Sequence, residues 1–152
     1  MMTILQGDLI QFALSGRFDI IVHGCNCFCT MGAGIAKQIR DTFPEAYQAD
    51  LKTEMGDREK LGTYSQARIE RNGNIFTIVN GYTQFDFSGH GALVDYTAIQ
   101  VLFAKIKKEF NHQRIGYPKI GAGLAKGDWE VISGIINKEL QGEAHALVEY
   151  VR

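Results

Sequence analysis

The sequence predicts an α/β fold with a mixed, largely parallel sheet that helices cover on both faces. Short segments rich in β-branched and aromatic residues alternate with longer segments of helical periodicity, a pattern typical of parallel sheets covered on two sides. One Asn-Gly pair separates two of the short segments and favours a tight turn between antiparallel strands. The length of 152 residues is typical of one domain, so residues 1–152 are predicted to form a single domain.

Six segments are predicted as strands because they are short, apolar and bounded by turn-forming residues. They are residues 3–5, 19–23, 64–69, 75–80, 114–117 and 146–151. The pair Asn72-Gly73 lies between the third and fourth segments, so these two are predicted to pair as an antiparallel hairpin.

Three longer segments are predicted as helices, because their apolar residues recur every three or four positions. They are residues 35–43, 99–110 and 129–140. Asp128 precedes the last of them as a candidate N-cap. The first is predicted to end before Pro44, since the residue that precedes a proline avoids the helical region.

Composition excludes several classes of protein. Charge is nearly balanced, with 16 Lys and Arg against 17 Asp and Glu. The sequence also has no run of basic residues such as a protein that coats nucleic acid or a membrane surface would show. The N-terminus has no basic segment followed by an apolar stretch, and no apolar run approaches the ~18 residues of a membrane span. These features predict a cytoplasmic location and no membrane partner. The sequence does not determine the oligomeric state, for which a monomer is the default expectation.

The three cysteines, Cys25, Cys27 and Cys29, alternate along one short segment. Alternation places neighbouring thiols badly for a disulfide framework and lacks the Cys-x-x-Cys spacing that zinc sites use. No arginine follows any of them at the spacing by which cysteine phosphatases hold phosphate. The sequence therefore predicts reduced thiols, no metal, and no catalysis through a thiol.

Two glycine clusters occupy equivalent places, because each follows a predicted strand and precedes a helix. Gly32 and Gly34 follow the second strand, and Gly121 and Gly123 follow the fifth. In open α/β sheets ligands bind beyond the carboxyl ends of the strands, where backbone amides and a helix N-terminus can hold an anion. The lysine motif of P-loop proteins is absent, and Lys37 stands where a dinucleotide fingerprint has its third glycine. The pattern therefore predicts a phosphate-bearing ligand and suits a diphosphate that backbone amides hold without a lysine. It gives no support to hydride transfer.

Three motifs in order resemble the macro domain, a family that binds ADP-ribose. They are Gly-Asp-Leu-Ile at residues 7–10, Ile-Val-His-Gly-Cys-Asn at 21–26 leading into Gly-Ala-Gly-Ile-Ala at 32–36, and Pro-Lys-Ile-Gly-Ala-Gly-Leu at 118–124. The stretch at 23–27, together with Ser-Gly-His-Gly at 88–91, looks most like the branch that contains ADP-ribose-1''-phosphate phosphatases and terminal ADP-ribose protein glycohydrolases. The resemblance covers Thr3 to Val151 and implies a three-layer α/β/α fold that needs no cofactor. It also implies hydrolysis of a substituent on the distal ribose, with ADP-ribose-1''-phosphate the favoured substrate.

By this resemblance, fifteen residues would contact ADP-ribose: Asp8, Leu9, Cys25, Asn26, Met31, Gly32, Ala33, Gly34, Ile35, Ala36, Gly121, Ala122, Gly123, Leu124 and Ala125. Asp8 would accept a hydrogen bond from the adenine amine, and its alternative role is to cap a helix over residues 9–14. Asn26 would orient the distal ribose, and its alternative role is to bond its own loop backbone.

Three residues are candidate catalytic groups: Asn26, His23 and His90. An imidazole can serve as acid or base near neutral pH. His23 stands where most macro domains carry an asparagine, and its alternative is a hydrogen-bonded structural role. The alternative for His90 is a solvated loop histidine, while Phe85 and Phe87 are interpreted as packing residues.

Three rival functions stay open at the level of sequence. The first is removal of ADP-ribose from a modified protein or nucleic acid, which would make those macromolecules partners. The resemblance implies that glycohydrolases of this branch use a lysine and an aspartate, and neither is evident here, since residues 80–84 contain no lysine and Ala125 stands at the aspartate position. The neighbouring Lys126 and Asp128 stay open as substitutes after a local shift. The second rival is a reader that binds ADP-ribose without turnover, and a further one is an unrelated nucleotide-binding domain.

Overall fold

The computed structural model describes residues 1–88 and 93–151, and within these ranges six strands form one sheet. The strands are β1 (Thr3–Gly7), β2 (Ile20–Cys25), β3 (Tyr64–Arg71), β4 (Asn74–Tyr82), β5 (Ile115–Tyr117) and β6 (His145–Tyr150). They lie in the order β1-β6-β5-β2-β4-β3. All neighbours run parallel except β3 and β4, which form the predicted hairpin, with Asn72 and Gly73 at positive φ. The mixed, largely parallel sheet is confirmed.

Five α-helices cover this sheet in the described part of the chain. They are α1 (Leu9–Leu14), α2 (Gly34–Thr42), α3 (Pro44–Leu51), α4 (Tyr96–Glu109) and α5 (Trp129–Glu139), and a short 3₁₀ helix lies at Arg58–Lys60. The three helices predicted from periodicity are confirmed. The prediction missed α3, because Pro44 does not only end α2: it occupies the first turn of a new helix, where its missing N–H costs nothing. Within the described residues no helix has the length and apolarity needed to cross a membrane.

Two buried clusters, one on each face of the sheet, make the fold three-layered. The first joins α1, α2 and α3 to one face through residues such as Ile10, Ile39 and Ala46. The second joins α4 and α5 to the other face through residues such as Leu102 and Ile136. Full burial of a Leu or Ile side chain contributes roughly 1.5–3 kcal/mol, so these faces hold the helices against the sheet.

The order of the strands places a crevice between β2 and β5. From β2 the chain passes through α2 and α3 to β3 and β4 on one side, and α4 then returns it to β5 on the other side of β2. Such a switch in direction leaves the loops after the two strands free to diverge, and ligands of open α/β sheets bind there. Both glycine clusters follow these two strands.

Candidate functional site

A groove made of two adjoining cavities lies at the carboxyl ends of the parallel strands. The first, the loop cavity, has a volume of about 520 Å³ and lies between the two glycine clusters. The second, the Asp8 cavity, has a volume of about 410 Å³ and lies beside the start of α1. The two share a wall formed by Gly34, Ile35, Pro118 and Lys119. The two cavities therefore adjoin at these residues and together form one groove.

Most residues predicted to contact the ligand line this groove. Those on the loop cavity are Cys25, Asn26, Met31, Gly32, Ala33, Gly34, Ile35, Ala36, Gly121, Gly123, Leu124 and Ala125. Asp8 and Leu9 line the Asp8 cavity. Ala122 is on neither lining, although its neighbours are. Contact of these residues with a ligand stays a prediction.

The first glycine cluster presents the open N-terminus of α2 to the loop cavity. The helix begins at Gly34, and the N-cap residue Ala33 makes no side-chain hydrogen bond to the first turn. Gly34 has φ +59°, a conformation that a side chain makes costly, and its Cα faces Leu124 of the other cluster. The unpaired amides and the positive end of the helix dipole together form a site for an anion.

The second glycine cluster is a packed wall. Gly121 has φ +75°, and a Cβ there would lie 2.6 Å from Cγ2 of Val94. A Cβ at Gly127 would lie 2.5 Å from Cγ1 of the same valine, and the Gly127 N–H donates to the Gly121 carbonyl oxygen at 2.6 Å. A Cβ at Gly123, which lines the loop cavity, would meet no atom within 4 Å. This cluster therefore offers one open glycine to a ligand.

Asn26 is held in place by its own loop. Its Nδ2 donates to Oγ1 of Thr30 at 2.7 Å, and its Oδ1 accepts from the Phe28 N–H at 2.8 Å. The predicted alternative, an asparagine that bonds its loop backbone, is thus observed. The amide keeps a second N–H, so the loop fixes a donor at the edge of the cavity.

Asp8 caps α1. Its Oδ1 accepts from the N–H groups of Ile10 and Gln11 at 2.9 and 3.3 Å, which confirms the predicted alternative. The same residue lines the Asp8 cavity, and both capping bonds use a single oxygen. Its predicted contact with adenine therefore stays open to test.

The structure corrects the catalytic role predicted for His23. Its side chain is fully buried, and its Nε2 lies 2.7 Å from Oδ1 of Asn80. The Asn80 Nδ2 donates to Ala46 and Ser65, so Oδ1 accepts and His23 Nε2 carries the proton. Burial lowers the pKa of His23 to about 4, which keeps the ring neutral. The residue therefore serves as a structural histidine that does not reach the groove.

The cysteines are free and buried, with hydrogen bonds that hold the loop after β2. Cys27 Sγ donates to the Gln84 carbonyl oxygen at 3.5 Å, and Cys29 Sγ donates to that of Asp50 at 3.2 Å. Burial raises the pKa of Cys25 and of Cys27. A thiolate nucleophile is therefore disfavoured at this site.

Several lining residues were not predicted from the sequence. Phe87, interpreted as a packing residue, is 58% exposed and lines the loop cavity, while its edge contacts the ring of Phe28. Thr30 and Gln84 line the same cavity. Their position just beyond β2 and β4 was the available signal. His90 lies outside the described residues, so its predicted role stays a prediction.

The cavity also corrects the expectation of a site without lysine. Among the described residues that line the loop cavity, Lys119 is the charged one. Its Nζ lies 3.9 Å from Oε2 of Glu149, which lines the Asp8 cavity. The side chain of Lys119 is half exposed, so its ammonium group is not buried in the core.

Two proteins are similar to this chain along nearly their whole lengths, although no protein-family model matches it. An uncharacterized 17.5 kDa protein from the tk-vs intergenic region of Enterobacteria phage T4 is 37% identical over 139 residues, which cover 88% of this chain and 86% of that protein. The ADP-ribose 1''-phosphate phosphatase of Debaryomyces hansenii is 31% identical over 167 aligned positions, which cover 91% of this chain and 93% of the enzyme.

Solved structures share the fold. The macrodomain of Mycobacterium tuberculosis DarG superposes with a TM-score of 0.74 at 19% identity, covering 98% of both chains. Thermosipho africanus DarTG, solved in complex with ADP-ribose, gives a TM-score of 0.74 at 17% identity and covers 98% of this chain and 42% of that one. Taken with the relatives and the groove between β2 and β5, these findings show that the chain belongs to the macrodomain family.

Proposed function

We propose that this protein binds ADP-ribose along the groove and hydrolyses a phosphate from its distal ribose, converting ADP-ribose-1''-phosphate to ADP-ribose and phosphate. Adenine occupies the Asp8 cavity, the diphosphate lies between the glycine clusters, and the distal ribose reaches Asn26. The observation that carries the proposal is the uncapped N-terminus of α2, which opens on the cavity between the two clusters.

The backbone is suited to a diphosphate. An uncapped helix N-terminus carries about half a positive charge and several free N–H donors, which together bind phosphate oxygens without a cationic side chain. Lys119 adds a half-exposed cation at the shared wall. The complexes of other macrodomains with ADP-ribose support this choice of ligand.

The choice of reaction is supported by the relative that acts as an ADP-ribose 1''-phosphate phosphatase. In the hydrolysis, a water oxygen bonds to phosphorus, the bond to the sugar oxygen breaks, and that oxygen gains a proton. Asn26 orients the ribose through its remaining N–H. The described lining of the loop cavity holds no histidine or carboxylate. The proton transfer is therefore assigned to His90, on the sequence argument alone.

The same observation favours a second candidate, a reader that binds ADP-ribose without turnover. Burial removes His23 from the chemistry, and the charged side chain on the described lining of the loop cavity is a lysine. If His90 does not reach the distal ribose, the groove retains its affinity but has no group to move the proton.

Calorimetric titration with ADP-ribose, followed by phosphate release from ADP-ribose-1''-phosphate, tests the proposal. We expect binding and phosphate release from the wild type, and binding without release from His90→Ala. The exposed His112, remote from the groove, provides the matched control, and His112→Ala should keep both properties. Binding without release in the wild type indicates the reader. Absence of binding contradicts the proposed function as a whole.

A further inference from the structure

We propose that Glu149, positioned by Lys119, selects ligands whose adenosine ribose carries free hydroxyls and rejects those with a phosphate on that ribose. The inference rests on the proposed function, because it takes ADP-ribose to lie along the groove. It adds to that function a specificity for the adenosine ribose, which would lie where the two cavities adjoin.

The position of the adenosine ribose follows from the shape of the groove. With adenine in the Asp8 cavity and the diphosphate in the loop cavity, the sugar between them lies at the shared wall. Lys119 forms part of this wall, and Glu149 lies beside it on the side of the Asp8 cavity. Glu149 is therefore the carboxylate of the Asp8 cavity that lies beside the shared wall, next to the proposed position of the sugar.

Glu149 is available to accept hydrogen bonds. Its separation of 3.9 Å from Lys119 Nζ is an ion-pair distance and too long for a hydrogen bond. Its side chain is 35% exposed, whereas Asp8, the other carboxylate on this cavity, already accepts two N–H groups. In dinucleotide-binding folds an acidic residue of this kind accepts a hydrogen bond from the ribose 2′ hydroxyl, and an arginine replaces it where a 2′-phosphate is bound.

Charge determines the direction of the selectivity. Glu149 and Lys119 together carry no net charge. A phosphate on the ribose is therefore repelled by the carboxylate, while the lysine that could attract the phosphate is already paired with Glu149. Without the carboxylate, Lys119 is free to pair with the phosphate. Without the lysine, the carboxylate repels the phosphate with its full charge. Charges about 4 Å apart near a protein surface interact strongly enough to change an affinity about tenfold or more.

The test compares ADP-ribose with ADP-ribose 2′-phosphate by calorimetric titration at low and physiological ionic strength. The measured quantity is the ratio of the two dissociation constants. We expect the wild type to prefer ADP-ribose by about tenfold, Glu149→Gln to lose this preference, and Lys119→Met to increase it several-fold. The same change of charge at the opposite edge of the sheet, Glu70→Gln, provides the control and should keep the wild-type ratio.

The ratio of the two dissociation constants separates a change of specificity from damage to the fold, because a misfolded variant loses affinity for both ligands together. Equal affinity of the wild type for both ligands, or a ratio that Glu149→Gln leaves unchanged, contradicts the inference while the proposed function stands. Failure of the wild type to bind ADP-ribose contradicts the proposed function instead.

Discussion

The two glycine clusters look alike in the sequence but differ in what their glycines do. In the first, α2 begins at Gly34 without a side-chain cap, and its free amides face the loop cavity. In the second, α5 begins only at Trp129, and Asp128 already occupies an amide of its first turn. Gly121 and Gly127 there allow close packing against Val94. A Gly-x-Gly pattern therefore indicates that another group packs closely against the backbone. Where the following helix lacks a side-chain cap, its free amides are left for a ligand; where the helix is capped, the glycines allow a side chain to pack there.

The largest expected effect is on stability, in the second cluster. Gly121→Ala places a methyl group 2.6 Å from Val94 at φ +75°, so we expect a loss of about 3 kcal/mol in the free energy of unfolding, measured with urea. Gly134→Ala is the control, because this glycine lies within α5 and a Cβ there would meet no atom within 4 Å outside its own helix. It should be neutral or stabilise by about 0.5–1 kcal/mol. Equal effects from the two changes contradict the packing role.

In the first cluster the largest effect is on binding. Gly34→Val blocks the approach of a phosphate to the amides of α2, and we expect the affinity for ADP-ribose to fall about 100-fold, which corresponds to about 2.7 kcal/mol. Gly142→Val introduces the same kind of strain at φ +89°, away from the groove and with open space around it. It should lower stability and keep the affinity. Retained affinity in Gly34→Val overturns the two-cluster site.

The pH dependence of the free energy of unfolding tests the burial of His23 in β2, the strand that leads into the first cluster. Burial lowers the pKa of His23 and of His145 to about 4, whereas an unfolded histidine titrates near 6.5. Below pH 6.5 the unfolded chain binds more protons than the folded one, so stability is present above that pH and is lost as the pH falls toward 4. We expect a loss of about 1 kcal/mol for each histidine between pH 7 and 5.5.

The measurement is urea unfolding as a function of pH. His23→Gln should flatten the dependence. A slope that His23→Gln leaves unchanged would falsify the assignment of His23 as a buried neutral ring.

The smallest effects concern the caps. Asp128→Ala removes the cap of α5 and should cost about 1 kcal/mol of stability while leaving ADP-ribose affinity unchanged. Ala33→Ser adds a cap to α2 and should raise the stability of the protein. It should also lower the affinity for ADP-ribose several-fold, because the serine hydroxyl competes with the ligand for the same amides. Ala33→Val adds bulk without a cap. If Ala33→Val weakens binding more than Ala33→Ser does, steric blocking rather than competition explains the result.

Local patterns predict this fold well and the site only in part. Each strand and three helices follow from periodicity, whereas α3 was missed because a proline can either end one helix or begin the next. His23 was misassigned because a strand covered on both faces buries nearly all of its positions, so alternation gives no hint of which side chain reaches the groove. Lys119 follows β5 and Glu149 lies near the end of β6, 30 residues later in the sequence, and only the folded sheet brings them together.

The most direct test of the account follows the backbone amides by NMR during titration with ADP-ribose. If the open N-terminus of α2 binds the diphosphate, the amide signals of Gly34, Ile35 and Ala36 shift most, together with that of Gly123. The capped first turn of α5 at Glu130 stays unshifted. Shifts centred on α5, with none in the first turn of α2, would contradict the central claim that the uncapped helix is the phosphate site.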